Sequence, residues 1–545
     1  MLSILGFLVI LGPLVIVHEL GHFTFAKIFG VKAEVFSVGF GPKLWSKVIG
    51  ETEWRVSAIP MGGYVKLMGE DQTAEIAPAE LKRALHKQAV WKRFFIFFGG
   101  PFFNFIFAAL IFMTILAIGE PQPASVIGRV VEGSAAQKAG FVSGDRILAI
   151  DGKPVKLFED VINAISDHPQ QKMDFEVVHP QTQAAVHVSV IPVTQEGYSV
   201  YGETAHVGEI DGLLLAARSG MVGISDPNSP AGKVGIHTGD EVTQMNSVPI
   251  VNWEDAEHVF SAAPVGSSIF LKLKKANKAE LSEYQVALKK PKTTAGLGDA
   301  LGLRSSELFV DKAVPASPAE AAGIHSGDRL ISVGSQSVQS FFELRNAVQR
   351  AGENEGHVDL KWERDGKIIN AKITPTATSG RDPLLKKTTQ YTVGVLPLLS
   401  LVEPPQVLDR ILNPFMLVYK GTEKMITLSW RNLISIQKMF VGDVSVKSLG
   451  GPIMIGKIAG ESLSHGLITF LTTMGILSIG LGVLNVLPIP VLDGGHLLLL
   501  LIEGVRKRPL SMKQMEIIQG VGLSLILLLM AVVMRNDIMR LPFFY

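Results

Sequence analysis

His18-Glu19-Leu20-Gly21-His22 places two imidazoles four residues apart with a carboxylate between them. On a helix such residues share a face, so both rings can close on one Zn²⁺. Glu19 is then placed to act as general base toward a water that the metal acidifies. The motif interrupts a stretch otherwise built for lipid. Residues 2–17 carry no charge, and ionisable groups within such a segment are costly and mark function. The structural alternative is a satisfied pair of core histidines.

Zinc that works on water needs a third protein ligand and one open position. Asp493 is the candidate, at the end of the run Asn485-Val486-Leu487-Pro488-Ile489-Pro490-Val491-Leu492-Asp493-Gly494-Gly495. Pro488 and Pro490 must break a helix there, which frees backbone groups at membrane depth. Asp493 could instead be a turn residue, since Asp-Gly favours turns. His496 is another possible ligand, but it reads better as a polar residue opening the next helix.

Four apolar segments are long enough to span a bilayer and so to position these groups: residues 2–29, 94–118, 466–492 and 517–534. The first lacks the basic start and the small-residue cleavage site of a secretory signal, and it carries the motif, so it reads as retained. Lys and Arg crowd the joint between spans one and two, for example Lys27, Lys32, Lys43 and Arg55. They recur between spans three and four at Arg506, Lys507 and Arg508. The positive-inside rule makes both joints cytoplasmic. At 1.5 Å per residue His18 then lies about 25 Å from the outer end of its span, close to the inner face. Asp493 falls at a matching depth.

The rest of the composition excludes more than it assigns. Formal net charge is +1, so nothing points to nucleic acid. With no cysteine, disulfides, thiolate ligands and cysteine nucleophiles are out.

Between spans two and three the chain turns soluble in character and repeats with a period of about 90 residues. The matching stretches are 135–148, 230–242 and 318–331. Each reads as a short helix closed by Gly, a Gly-Asp turn and an apolar strand, followed by a second helix and alternating strands. These resemble bacterial PDZ domains, three in tandem, which bind an extended peptide by strand addition. Spacers without a ligand are the alternative. Residues 407–440 are mildly amphipathic and read as helices on the outer membrane surface or as ordinary surface packing. Residues 31–67 read as β-hairpins at the membrane, with turns at 39–42 and 50–52 and strands at 54–59 and 64–67. An exposed strand edge there could hold a substrate extended and present its carbonyl to the metal.

Together the chain resembles the site-2 protease family of intramembrane zinc metalloproteases. The resemblance is carried by His18 to His22, Gly100-Pro101-Phe102-Phe103-Asn104, Gly450-Gly451-Pro452-Ile453 and Asn485 to Gly495. It implies Zn²⁺ held by His18, His22 and Asp493, Glu19 as catalytic base, a membrane-inserted hairpin region and a substrate-holding role for Asn104. Gly39, Gly41, Tyr64, Asn485 and Pro488 join Asn104 as candidate substrate-binding residues. The implied substrates are single-pass membrane segments already shortened by a site-1 type protease, among them membrane-tethered anti-sigma factors and remnant signal peptides. The implied location is a bacterial inner membrane, with periplasmic PDZ-like domains and the active site near the cytoplasm. One departure is plain: the family members compared carry two tandem PDZ domains and this chain shows three repeats.

The expected architecture is a polytopic α-helical membrane protein with four transmembrane helices, membrane-associated β-hairpins and three tandem PDZ-like α+β domains. Its segments are the motif span (1–30), the hairpin and linker (31–92), span two (93–120) and the repeats (121–200, 201–296, 297–397). Surface helices (398–448), span three (449–500) and span four with a tail (501–545) follow. Two other functions fit some of these residues. A membrane-tethered PDZ scaffold with a structural metal would need a closed ligand shell. A zinc or proton transporter would need polar groups lining a path, whereas here they cluster at one depth.

Overall fold

The computed structural model describes residues 2–70, 76–180, 184–198, 203–275, 283–292, 295–381, 387–442 and 449–540. The chain forms two compact units. Met1–Pro121, Val200–Glu203 and Leu408–Tyr545 make the first, and Gln122–Ser199 with Thr204–Val407 make the second.

In the first unit, four helices are long and apolar enough to cross a membrane: Gly6–Ile28, Val90–Ile118, Leu467–Val486 and Lys513–Met539. The motif helix α1 (Leu2–Ile28) crosses α2 (Val90–Ile118) at Gly21 and Gly99. A Cβ on Gly21 would collide with the Gly99 carbonyl, so only glycine permits this approach. The third spanning helix ends at Val486, short of the expected 492. Proline at 488 and 490 cannot donate to a helix and disfavours helical backbone in the residue before it. Helix resumes at Asp493 and runs to Arg506.

Two more helices in this unit depart from expectation. Pro452–Ser464 is separate from the third span. The buried carboxylate of Asp537 caps it, accepting from the N–H groups of Gly451, Ile453 and Met454 at 2.8, 3.0 and 3.1 Å. Pro414–Val441 is a single helix rather than several. Its Met425, Leu428 and Ile436 pack into the core that contains Ile10, Ala108, Phe112 and Met474. That apolar face turns to the spanning helices. Residues 443–448 of the expected surface segment lie outside the described residues.

Strands β1 (Ala33–Ile49) and β2 (Thr52–Leu67) fold back on each other. Residues 33–38 pair with 53–56 on one side and with 63–67 on the other, while 43–49 pair with 52–57. The segment 63–67 is therefore an outer strand. The expected turns fall where Gly39, Gly41 and Gly50 take positive φ. Phe23 of α1 packs edge-on against Phe36 and Trp54, seating the sheet on the motif helix. At the far end Leu44, Trp45 and Val48 are exposed, an apolar patch suited to lipid.

The second unit builds one design three times. Each repeat has a four-stranded antiparallel sheet with the same strand order. Each is closed by a late strand returning to the first: Leu213–Leu214 on Arg129–Val130, Arg304–Ser305 on Val222–Gly223, and Val395–Pro397 on Val310–Ala313. The first two closing strands lie beyond the expected boundaries at 200 and 296, since a two-residue strand leaves no sequence period to read. In each repeat a serine, Ser134, Ser229 or Ser317, caps the short helix by accepting from the N–H three residues on. The Gly-Asp turn then buries Asp145, Asp240 or Asp328. The second helix is Phe158–Asp167, Trp253–Ala262 or Phe341–Glu355.

A buried ionic knot joins the repeats. Arg129 of the first meets Glu307 at 2.8 Å, and Arg218 meets Glu254 at 2.9 Å and Glu307 at 3.8 Å. The exit strand Leu401–Val402 pairs with Ala217–Arg218, and Ser306 Oγ donates to the Leu398 carbonyl at 2.7 Å.

Candidate metal centre

His18 and His22 lie one turn apart on α1, and Asp493 opens the helix after the proline turn. The three side chains converge. His18 Nε2 is 3.1 Å from Asp493 Oδ2, His22 Nε2 is 3.5 Å from Asp493 Oδ1, and the two Nε2 atoms are 3.2 Å apart. Ligands about 2.05 Å from a tetrahedral Zn²⁺ stand ~3.3 Å from one another. Three corners of that tetrahedron are thus in place, and the donor set of two imidazoles and one carboxylate suits zinc. Among the described residues this is the one cluster of metal-ligating side chains.

The surroundings are shaped for two imidazoles. Gly100 of α2 faces them, and a Cβ there would run into His22 Nε2 and His18 Cε1. His22 Nδ1 lies 2.8 Å from the Ile96 carbonyl of α2, which can only accept and so leaves Nε2 unprotonated for a metal. Asn104, fully buried, places its amide nitrogen 3.1 Å from His18 Nδ1. It faces a candidate ligand rather than an open groove. Asp493 is presented by a strained turn, in which Val491 has φ +81°. A β-branched residue rarely adopts that backbone. Gly494 tucks under the turn, where a Cβ would strike the carbonyls of Val486 and Leu487.

Glu19 points to the sheet. It lies beside the Val65 N–H of the outer strand, and a Cβ on Gly63 would stand 3.5 Å from its Cγ. Tyr64, between them, stacks on Phe40 and accepts from Arg55 Nη1 at 3.1 Å. Gly39 lies opposite Ile59, and Gly41 beside its side chain. Asn485 and Pro488 sit on the approach to Asp493, half-buried and exposed. His496 stacks flat on Phe97, with ring centroids 4.5 Å apart, and is not among the converging ligands.

Sequence reasoning missed three supports of this centre: the Ile96 carbonyl, the space kept by Gly100 and the strain at Val491. The glycine lay within a motif already singled out. A backbone carbonyl and a φ angle leave no residue-type signal.

The profile of peptidase family M50 matches residues 6–529. A Pasteurella multocida protein named as a candidate zinc metalloprotease is 30% identical over 541 residues, covering 99% of each chain. The regulator of sigma E protease of Haemophilus influenzae is 28% identical over 545 residues, again covering 99% of each. The regulator of sigma-E protease RseP of Salmonella typhimurium is 28% identical over 548 residues, covering 99% of this chain and all of its own. The chain belongs to peptidase family M50. It is a zinc metalloprotease, and four of its helices are long and apolar enough to cross a membrane.

Proposed function

We propose that the chain cuts single-pass membrane segments within the bilayer, at a centre formed by His18, His22, Asp493 and Glu19. The observation that carries this is the convergence of the three candidate ligands at zinc-compatible separations, with the Glu19 carboxylate facing the outer strand at Gly63. When bound, zinc supplies Lewis acidity to water and to the scissile carbonyl. Glu19 takes the proton of the attacking water and returns it to the leaving amine. A membrane helix hides its amides in i→i−4 bonds. Adding the substrate as a strand beside 63–67 unwinds it and lays it against Glu19. Tyr64 lies on that strand. Gly39 and Gly41 shape the neighbouring turn, and Asn485 and Pro488 flank the third ligand.

The three repeats are PDZ-like modules on the outer side of a bacterial inner membrane. Their bulk admits substrates whose outer domains another protease has removed. Relatives named as regulators of sigma E proteases support an anti-sigma factor as one such substrate. Remnant signal peptides have the same shortened form.

The test is a series of substrates that share one membrane helix and carry outer domains of increasing size, incubated with the purified full chain. Cleavage should fall steeply once the outer domain is folded and bulky. It should recover when the same domain is clipped off beforehand. Equal cleavage across the series would remove the gating role, and no cleavage of any helix would remove the intramembrane protease reading.

A further inference from the structure

The second and third repeats share a strand register and differ at one edge position. In the second, Arg304–Ser305 pairs with Val222–Gly223, and the Ser306 N–H donates to the Met221 carbonyl at 3.1 Å. In the third, Val395–Pro397 pairs with Val310–Ala313, and the Leu398 N–H donates to the Phe309 carbonyl at 2.7 Å. Val222 and Val310 are matching positions, because each bonds through both main-chain groups to its own Gly-Asp turn. Their ladder partners Ser305 and Pro397 therefore match as well. Along a strand the main-chain groups alternate sides. Ser306 and Leu398 face the ladder, so the main chain of Ser305 and Pro397 faces the opposite edge.

At that edge the second repeat keeps an N–H and the third has none. Among the described residues nothing accepts from the main-chain N–H of Leu303 or Ser305. The edge opens on a cavity of about 110 Å³, lined by Trp253 and Glu257 of the second helix of that repeat and by Leu303, Arg304 and Ser305. An unpaired edge invites another chain, and proline is one of the residues that blunt it. Pro397 blunts the third repeat. The matching edge of the second is left open between a strand and a helix, the setting in which an extended peptide adds as a further strand.

We propose that the second repeat receives an extended peptide segment of another chain along Leu303–Ser305, and that Pro397 closes the same edge of the third. The proposal rests on the reading of the repeats as PDZ-like modules. The peptide main chain exchanges hydrogen bonds with Leu303 and Ser305, and every second side chain turns toward the cavity beside Trp253. The difference between the repeats can be moved from one to the other. Ser305 has φ −62° and ψ 142°, a backbone that proline adopts, and Arg304 before it is extended. Ser305→Pro therefore carries the closure of the third repeat into the second without straining the chain.

The experiment uses the full chain in detergent and a pool of short randomised peptides, each carrying a benzophenone. Labelled residues are mapped by mass spectrometry after illumination. In the parent, labels should fall on Trp253–Ala262 and on 303–305, and not on 395–397. Ser305→Pro should cut labelling of the second repeat about tenfold, the usual effect of one main-chain group left unsatisfied. Ser305→Ala keeps the N–H and loses only the hydroxyl that accepts from the Glu307 N–H at 3.5 Å, so it should label like the parent. Pro397→Ser should bring labels to 395–397. Full labelling of Ser305→Pro, no labels at 395–397 in Pro397→Ser, or labels there in the parent would each overturn the proposal. Should Ser305→Pro fail to fold, N-methylated peptides, which cannot donate to the Leu303 carbonyl, replace it and should label the parent about tenfold less in the second repeat. Labels on no repeat would overturn the PDZ-like reading and this proposal with it, whereas labels confined to the first repeat would overturn this proposal alone.

Discussion

The candidate metal centre and the Gly-Asp turns of the three repeats both bury an aspartate, yet they treat its partners in opposite ways. At the centre Asp493 faces His18 and His22, and the partners cannot vary without changing the donor set. In the repeats Asp145, Asp240 and Asp328 keep one invariant duty, accepting from the N–H three residues earlier. Their second partner differs each time: His179 at 2.6 Å, Tyr284 at 2.5 Å, or Arg364, which donates to both carboxylate oxygens at 2.7 and 2.6 Å. A turn needs only a satisfied carboxylate. A metal site needs particular atoms at particular separations.

Substitutions at the centre should therefore be unforgiving. Gly100→Ala should abolish or severely weaken zinc binding, because its Cβ would take space held by both imidazoles. Gly12→Ala on α1, where a Cβ meets nothing within 4 Å, is the control. Metal content after dialysis reads the difference, and retained zinc in Gly100→Ala would remove the contrast.

The ionic knot between the repeats stands between these extremes. Arg129→Leu would leave the Glu307 carboxylate buried with weaker compensation. Breaking such a pair costs about 3–5 kcal/mol, so the second unit should unfold at clearly lower denaturant concentration. An unchanged midpoint would mean that Arg218 alone suffices.

Within the turns the effects should shrink. Tyr284→Phe removes a hydrogen bond to the buried Asp240 carboxylate and should cost about 2 kcal/mol in the second repeat. Protection from proteolysis in that repeat would report it, and a loss spread equally over all three repeats would contradict a local role.

The smallest effect is a pH dependence confined to the first repeat. Burial pushes Asp145 above the ordinary carboxylate range, and the His179 bond pulls it part of the way back. A carboxyl group raised on folding gives stability that is fully present below its unfolded value and fades as pH rises through the folded one. Proteolytic resistance of residues 129–214 should therefore decline as pH rises from about 4. In Asp145→Asn that slope should flatten, and an identical slope in both chains would assign it elsewhere.

The legibility of the molecule follows the same division. Side-chain chemistry at fixed spacing was readable: the His18–His22 pair, Asp493 through its depth, and the repeated Gly-Asp turns. What depended on backbone was not. The third span stops at Val486 because the proline turn begins there, and Val491 takes a backbone that its side chain disfavours. Asp537 lies outside the expected fourth span, yet it is the group that caps the helix at Pro452. The helix at 414–441 carries too mixed a pattern to reveal that its apolar face meets other helices.

In the proposed mechanism Glu19 does the proton chemistry at a zinc centre it does not hold together. The direct measurement compares the parent with Glu19→Gln on one single-pass helix lacking an outer domain, with zinc quantified in both. Zinc should be equal in the two chains, and the cleavage rate about 10²- to 10⁴-fold lower in the variant. Equal zinc with equal cleavage would contradict that mechanism and assign the base elsewhere.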